Sequence, residues 1–554
     1  MKFSNKKLSQ TITQLCIAKG IRNIVISPGS RNAPLTIGFT ENKNFINYSI
    51  VDERCAAFFA LGIAQQLDEP VALVCSSGSA LLNYYPAISE SYYSDIPLVI
   101  LSADRPSELI NIGDGQTIQQ ENVFQNHILE NANCIEGDAY NLFNEAIINS
   151  ALNTAIIKKG PVHINLPFSE PLYKTIENLT ITVKSTPILV AAKKVNEDLI
   201  PFVKKWNIAK KKLILVGVLK PNSIEKKYLD ILAKDESIIV LTETTSNLHN
   251  KNFFPAIDQL IASFDKNELI KFEPEILLTF GGMIISKKIK ALLRGYSPKE
   301  HWHIDSKKAY DTFFCLTHHF KITANLFFKE LFPRIEPVKS NYQSNYLSIK
   351  KYRLKRHQEY ISIIPYSDLK IFSAIVEIMP KNMQLQLSNS SIVRYAQFFD
   401  FDKCIDVFCN RGTSGIDGST STAIGAAVVS KKETLCITGD LSFLYDSNAL
   451  WNNYMPCNFK IIVINNGGGG IFRILPGEKN TDNFDTFFET KHKFTASNLC
   501  EMYNLEYTMI HRESELNQNL KSFFNSSDTP KLLEIFTPSE INDQILLEYF
   551  NFLK

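Results

Sequence analysis

Short runs of apolar and β-branched residues alternate along the whole chain with longer stretches whose apolar positions recur at helical spacing. That alternation is the mark of parallel βα units rather than of hairpins. In the first third the predicted strands are Ile24 to Ser27, Val71 to Cys75, Leu98 to Ser102 and Val162 to Leu166. A second group comprises Leu213 to Val218, Ile238 to Thr242, Ile276 to Phe280 and His301 to Asp305. The last third supplies Gln384 to Leu387, Ile405 to Cys409, Thr434 to Thr438, Ile461 to Ile464 and Leu532 to Phe536. Polar or turn-forming residues follow these strands and mark their carboxyl ends, the edge at which open parallel sheets bind ligands.

The grouping predicts an α/β protein of three doubly wound domains with mainly parallel sheets, spanning residues 1–180, 181–340 and 341–554. The first boundary is a polar, charged stretch from Glu177 to Lys193. The second is a basic stretch from Lys339 to His357, read as a linker running into a surface helix with a solvated face. No short-period repeat or low-complexity tract supports a solenoid or propeller.

Composition narrows the function classes. The 554 residues are 45% hydrophobic and 21% charged, and 59 basic residues nearly balance 57 acidic ones. No global charge draws the chain to nucleic acid or an anionic membrane, so recognition of charge must be local. The segment from Met1 to Lys7 lacks a signal-peptide apolar core, and no apolar run approaches the ~20 residues of a membrane span. A cytoplasmic protein with no membrane insertion is expected. The ten cysteines are scattered, most of them in apolar runs such as Val71 to Cys75, as reduced core thiols are. Cys404 and Cys409 have no second ligand pair at zinc spacing.

The densest chemistry lies in Thr438-Gly439-Asp440-Leu441-Ser442 and, one helical crossover later, Asn465-Asn466-Gly467-Gly468-Gly469-Gly470. Asp440 and Asn466 stand at neighbouring strand ends as hard oxygen ligands, and a glycine carbonyl can supply a third. The competing reading is two unrelated turns and a glycine-rich loop. A separate element, Val51-Asp52-Glu53-Arg54-Cys55-Ala56-Ala57, opens a helix of small residues. An isolated carboxylate there more often just faces the positive end of the helix dipole.

Together these elements resemble thiamine-diphosphate enzymes, whose signature pairs a Gly-Asp with an Asn and sets a Glu at the start of such a helix. Leu441 departs from that signature, where many members have another Gly. Three further blocks narrow the resemblance: Ser27-Pro28-Gly29-Ser30-Arg31-Asn32, then Ser102-Ala103-Asp104-Arg105-Pro106, then Asn410-Arg411-Gly412-Thr413-Ser414-Gly415. With Asn465 to Pro476 they are similar to the 2-succinyl-5-enolpyruvyl-6-hydroxy-3-cyclohexene-1-carboxylate synthases of menaquinone biosynthesis.

The resemblance implies a thiamine-diphosphate-binding fold, thiamine diphosphate with Mg2+ (or Mn2+ in its place), and a transferase. Its substrates would be 2-oxoglutarate, which is decarboxylated, and isochorismate, which accepts the resulting carbanion equivalent by 1,4-addition. It makes Glu53 catalytic, and Asp440, Asn466 and Gly468 metal ligands. Gly78, Ser390, Ile416, Leu441, Ser442, Ile471 and Phe472 would contact the cofactor, although Ile416, Ile471 and Phe472 read equally as plain core. Ser30, Arg31, Arg105, Gln116, Lys287 and Lys288 would hold isochorismate. Arg394 and Arg411 would hold the oxoglutarate-derived chain, with help from Ser390. Lys287 and Lys288 also fit an ordinary lysine-rich turn, and Gly115 departs from a common Asn or Pro. His301, His303, His318 and His319 are expected in packing or surface roles.

The resemblance also implies a homodimer or homotetramer with the active site at the subunit interface. The alternative enzyme is a 2-oxo-acid carboligase or decarboxylase of acetolactate-synthase type. A scaffold without turnover is the alternative outside enzymes, against which the presence of Glu53, Asp440 and Asn466 speaks.

Overall fold

The computed structural model describes residues 2–189, 197–474 and 481–554; Lys193 of the polar stretch and Pro476 of the last motif block lie outside them. Each third of the chain forms its own parallel sheet. The first sheet contains β1 (Asn23–Ile26), β2 (Ile46–Ser49), β3 (Val71–Cys75), β4 (Leu98–Asp104), β5 (Glu130–Asn133) and β6 (Val162–Pro167). Its spatial order is β2-β1-β3-β4-β6-β5. The middle sheet is β7 (Lys212–Val216), β8 (Ile238–Leu241), β9 (Ile276–Phe280), β10 (Glu300–Ile304) and β11 (His318–Phe320), in the order β8-β7-β9-β10-β11. The last sheet is β12 (Gln384–Leu387), β13 (Asp406–Cys409), β14 (Thr434–Gly439), β15 (Phe459–Asn465), β16 (Glu506–Ile510) and β17 (Lys531–Phe536). Its order, β13-β12-β14-β15-β17-β16, repeats the topology of the first. The expected α/β class with three doubly wound sheets is what forms.

Alternation along the central strands sorts their side chains onto two faces. Ile24, Ala72, Val74 and Leu101 enter one core, whereas Val25, Leu73 and Ile100 enter another that also contains Cys436, Ile461 and Val463 of the last sheet. The first and last sheets thus share a core. Among the described residues of the three parallel sheets, the four strands that the apolar pattern did not predict, β2, β5, β11 and β16, are all sheet edges. Edge strands are covered on fewer sides, so residues such as Glu130-Asn131-Ala132-Asn133 carry no apolar run.

The basic stretch, expected as a linker running into a surface helix with a solvated face, is helical from Tyr342 onward, but the 22-residue helix Tyr342–Ile363 buries Tyr342, Tyr346, Arg353, His357 and Tyr360. His357 Nδ1 meets the Tyr549 hydroxyl at 2.7 Å and Gln259 Nε2 at 3.2 Å, joining the middle and last domains. The tyrosines at helical spacing drive that burial, and the lysines between them masked it. Among the described residues no helix is long and apolar enough to cross a membrane.

Five helices matter below: α1 (Glu53–Leu67), α2 (Lys287–Gly295), α3 (Asp368–Ile378), α4 (Ser419–Val429) and α5 (Asp440–Tyr445). α1 and α4 cross in the shared core, where their backbones touch through glycines. A Cβ on Gly62 would stand 2.1 Å from the Thr422 carbonyl oxygen, and one on Gly425 would stand 2.0 Å from that of Phe59. Both neighbours are backbone and cannot swing aside. Gly62→Ala and Gly425→Ala should therefore each cost about 1–3 kcal/mol or more, read as a fall in melting temperature. Gly295→Ala, which meets nothing within 4 Å, should stay within about 0.5 kcal/mol of the wild type.

Candidate active site

The carboxyl ends of β12, β14 and β15 enclose a cavity of about 160 Å³. Among the described residues its lining comes entirely from residues 368–472 and includes Ser390, Ile416, Asp440, Leu441, Ser442, Asn466, Gly468, Ile471 and Phe472. All the last-domain residues expected at the cofactor therefore converge on one place. Asp440 opens α5 as β14 ends, and its Oδ1 accepts from Leu441 N–H at 2.7 Å. Its Oδ2 accepts from Gly468 N–H at 2.9 Å, which ties the two strand ends together. Gly468 adopts φ +152°, and a Cβ there would stand 2.6 Å from the Glu489 carbonyl oxygen. Asn466 gives its Nδ2 to Asp368 at 3.1 Å, while its Oδ1 is buried without a hydrogen-bond partner among the described residues. A buried amide oxygen without a partner costs free energy unless a ligand meets it. Asp440, Asn466 and the Gly468 carbonyl offer the oxygens that a hard divalent cation takes.

The first-domain residues cluster at the carboxyl edge of their own sheet. Glu53 is the first residue of α1, behind Asp52, whose carboxylate caps Cys55 N–H at 3.2 Å. Glu53 is half-buried, 3.4 Å from Asn83 Nδ2, and close enough to Cys75 and Tyr84 for its charge to raise both. Gly78 follows β3 at φ +84°, and a Cβ there would stand 3.1 Å from the backbone of Gln116. Arg31 is buried, donates Nη1 to the Phe168 carbonyl at 2.8 Å and pairs with Glu170 at 3.3 Å. Arg105 donates to the Gly115 carbonyl at 2.9 Å. After burial, its charge is the main influence lowering Arg31, so the two guanidiniums are neighbours. Each keeps a buried Nε without a partner. Ser30 and Gln116 are exposed beside them. Glu53 and this arginine pair do not line the last-domain cavity of the same chain.

Arg394 and Arg411 do not line the cavity themselves but bond to two residues that do, Ser390 and Asn389. Arg394 donates Nη1 to the Ser390 carbonyl, and Arg411 donates to Asn389 Oδ1 at 2.6 Å. Burial and the charge of Arg411 both lower Arg394. Lys287 and Lys288 begin α2 and are exposed, with Lys288 Nζ 4.4 Å from the Phe550 ring centre. A buried carboxylate, Glu243, and a half-buried one, Asp258, stand beneath these cations. Glu243 accepts from Ile285 N–H at 2.8 Å and Ser286 N–H at 2.7 Å and feels Arg411; Asp258 hydrogen-bonds the Ser286 hydroxyl and feels Lys288 and Arg394. Glu90 of the first domain accepts from Gly412 and Thr413 N–H, each at 2.7 Å, and so holds the Arg411 loop. No described contact brings Arg31 and Arg105 to Lys287 and Lys288 within one chain.

Asp368, His492, Glu243, Asp258 and Glu90 were not singled out from the sequence. Glu243 had a signal, since it follows directly on the predicted strand Ile238 to Thr242. His492 stands with Nε2 3.2 Å from Asp440 Oδ2 and Nδ1 accepting from Phe494 N–H at 3.1 Å. His301 and His303 lie elsewhere, bracketing Thr279 Oγ1 at 2.9 and 2.8 Å, and burial lowers both to about 4.

Known proteins place this geometry. Residues 6–131 match the thiamine pyrophosphate enzyme N-terminal TPP binding domain and residues 390–535 the C-terminal TPP binding domain, thiamine pyrophosphate being thiamine diphosphate. Residues 190–387 match the middle domain of thiamine pyrophosphate enzymes. The 2-succinyl-5-enolpyruvyl-6-hydroxy-3-cyclohexene-1-carboxylate synthase of Flavobacterium psychrophilum is 57% identical over 543 residues, covering 98% of each chain. The chain belongs to this synthase family. The synthases of Christiangramia forsetii (56% identical, all of both chains) and Porphyromonas gingivalis (37% identical, all of this chain and 98% of the relative) match as completely. The chain is thus a thiamine-diphosphate-dependent enzyme, and full-length similarity to the synthases decides against the acetolactate-synthase type.

Burial pushes the Glu243 carboxyl up from 4.5 to about 7, against the pull of the Ile285 and Ser286 N–H groups and Arg411. A raised acid favours the folded state when protonated, so its contribution is full below 4.5 and is lost as pH rises through about 7. The melting temperature of the wild type relative to Glu243→Gln should accordingly decline across that interval. Parallel profiles for the two proteins would contradict the assignment.

Proposed function

We propose that this enzyme decarboxylates 2-oxoglutarate and adds the resulting carbanion equivalent to isochorismate by 1,4-addition. CO2 and 2-succinyl-5-enolpyruvyl-6-hydroxy-3-cyclohexene-1-carboxylate are the products, within menaquinone biosynthesis in the cytoplasm. The observation that carries the site assignment is the convergence of the last-domain residues on one cavity whose buried Asn466 Oδ1 has no partner among the described residues.

Thiamine diphosphate, when bound, supplies the electron sink for decarboxylation and carbon–carbon bond formation. Asp440, Asn466 and the Gly468 carbonyl would hold Mg2+, with Mn2+ as a substitute, beside the diphosphate. Ser390, Leu441 and Ser442 border the same cavity, and Ile416, Ile471 and Phe472 give it an apolar wall. Glu53 would hold the aminopyrimidine by sharing a proton with its ring nitrogen, and Gly78 would border that ring. Both substrates are multiply anionic, and arginine forks suit carboxylates. Arg394 and Arg411 would hold the oxoglutarate-derived chain. Arg31, Arg105, Lys287 and Lys288, with Ser30 and Gln116, would hold isochorismate.

One chain keeps Glu53 and Arg31 away from its own last-domain cavity. We therefore place the complete site between two copies, in a homodimer or a homotetramer of two such dimers.

Two measurements test these roles. Arg394→Ala should weaken use of 2-oxoglutarate far more than use of isochorismate, since a charge-assisted hydrogen bond is worth ~1.5–3 kcal/mol; equal losses for both substrates would contradict the division. Glu53→Gln should slow exchange of the C2 proton of bound thiamine diphosphate by ~10²–10⁴-fold, while the cofactor's dissociation constant changes much less. Exchange at the wild-type rate would reduce Glu53 to a carboxylate at a helix start.

A further inference from the structure

An asparagine that serves as an oxygen ligand must solve a problem that an aspartate does not have. Its two ends are nearly the same size, and turning the amide by half a circle replaces the coordinating oxygen with an NH2 group. Something must tell the ends apart. In this structure the only described hydrogen bond of the Asn466 side chain is the one from Nδ2 to Asp368 Oδ2, at 3.1 Å. An ionised carboxylate only accepts hydrogen bonds, so the reversed amide would set oxygen against oxygen. Gly470 leaves room for this arrangement, since a Cβ there would stand 3.2 Å from Asn466 Nδ2.

Asp368 is itself fixed from three directions. It is the first residue of α3 and buried, its other carboxylate oxygen accepts from Thr537 Oγ1 at 2.6 Å, and its N–H donates to Asn542 Oδ1 at 2.9 Å. The helix it opens packs into the core on the far face of the last sheet through Leu369, Phe372 and Ile375. A rigid element thus carries the acceptor to the amide. Outer-shell partners of this kind orient ligands in metal sites generally.

We propose that Asp368 is a positioning residue, which turns the Asn466 amide so that Oδ1 faces the cavity as a ready ligand. The inference rests on the reading of Asp440 and Asn466 as metal ligands. It assigns Asp368 no contact with substrate or cofactor. A purely structural role for Asp368 would affect stability without changing metal affinity.

The test is a Mn2+ titration of the full-length protein with saturating thiamine diphosphate, with free Mn2+ counted by electron paramagnetic resonance. Asp440→Ala tests the underlying reading and should abolish tight binding. Asp368→Ala should weaken Mn2+ binding by ~10–100-fold. Asp368→Asn, whose side-chain oxygen can still accept from Asn466 Nδ2, should return it to within ~3-fold of the wild type. If Asp440→Ala weakens binding and Asp368→Ala does not, the inference fails and the metal reading stands. If Asp440→Ala has no effect, both fail. An Asp368→Asn variant as weak as Asp368→Ala would show that charge acts rather than orientation, and would also overturn the proposal. Should Asp368→Ala not fold, Thr537→Val frees the far oxygen and should weaken Mn2+ binding by at least ~3-fold; unchanged binding in that variant counts against the proposal.

Discussion

The architecture depends on the crossing of α1 and α4, where Gly62 and Gly425 let two helix backbones touch. The contact welds the first sheet to the last one through a shared core that includes Phe59, Ala423 and Ile424. Beside it the buried Asp446 carboxylate accepts from Ser421 N–H at 2.7 Å and Ser421 Oγ at 2.9 Å, and Arg54 of α1 donates to the Tyr445 carbonyl at 2.7 Å. Glu53 sits at the amino end of α1 and Asp440 at the amino end of α5, so this one crossing fixes where both proposed catalytic edges lie. The two sheets share a strand order, but each presents its own edge.

Charge is the second constraint. A site for two polyanions gathers cations that would repel one another if nothing lay beneath them. Here the compensation comes from carboxylates outside the cavity: buried Glu243 and half-buried Asp258 from the middle domain, and buried Glu90 from the first. The middle domain, which contributes no described residue to the cofactor cavity, thereby sets the posture of α2, while Glu90 of the first domain holds the Arg411 loop. Burying those carboxylates costs free energy that backbone N–H groups and arginines offset in part.

The central strands were legible in the sequence because they are covered on both faces and read as unbroken apolar runs. Edge strands such as Glu130–Asn133 were not, for want of that cover. The residues of the last-domain cavity were legible because they come in contiguous blocks at strand ends, where local chemistry and backbone direction coincide. Pairings made only through folding were not legible: Glu243 and Ser286 are 43 residues apart, and Asp368 and Asn466 are 98 apart. The helix over Tyr342–Ile363 misled because its run of lysines and arginines from Lys350 to Arg356 suggests a solvated face, while Tyr342, Tyr346 and Tyr360 decide its burial.

The central claim is that a working site takes Glu53 from one copy and Asp440 from another. Its most direct test is complementation between two inactive chains, Glu53→Gln and Asp440→Ala, co-expressed with different tags and purified as the mixed dimer. Such a dimer holds one site with both lesions and one with neither, so it should show about half the wild-type turnover of 2-oxoglutarate and isochorismate. If every site were built within a single chain, each would carry one lesion. A mixed dimer as inactive as its two parents would contradict the account.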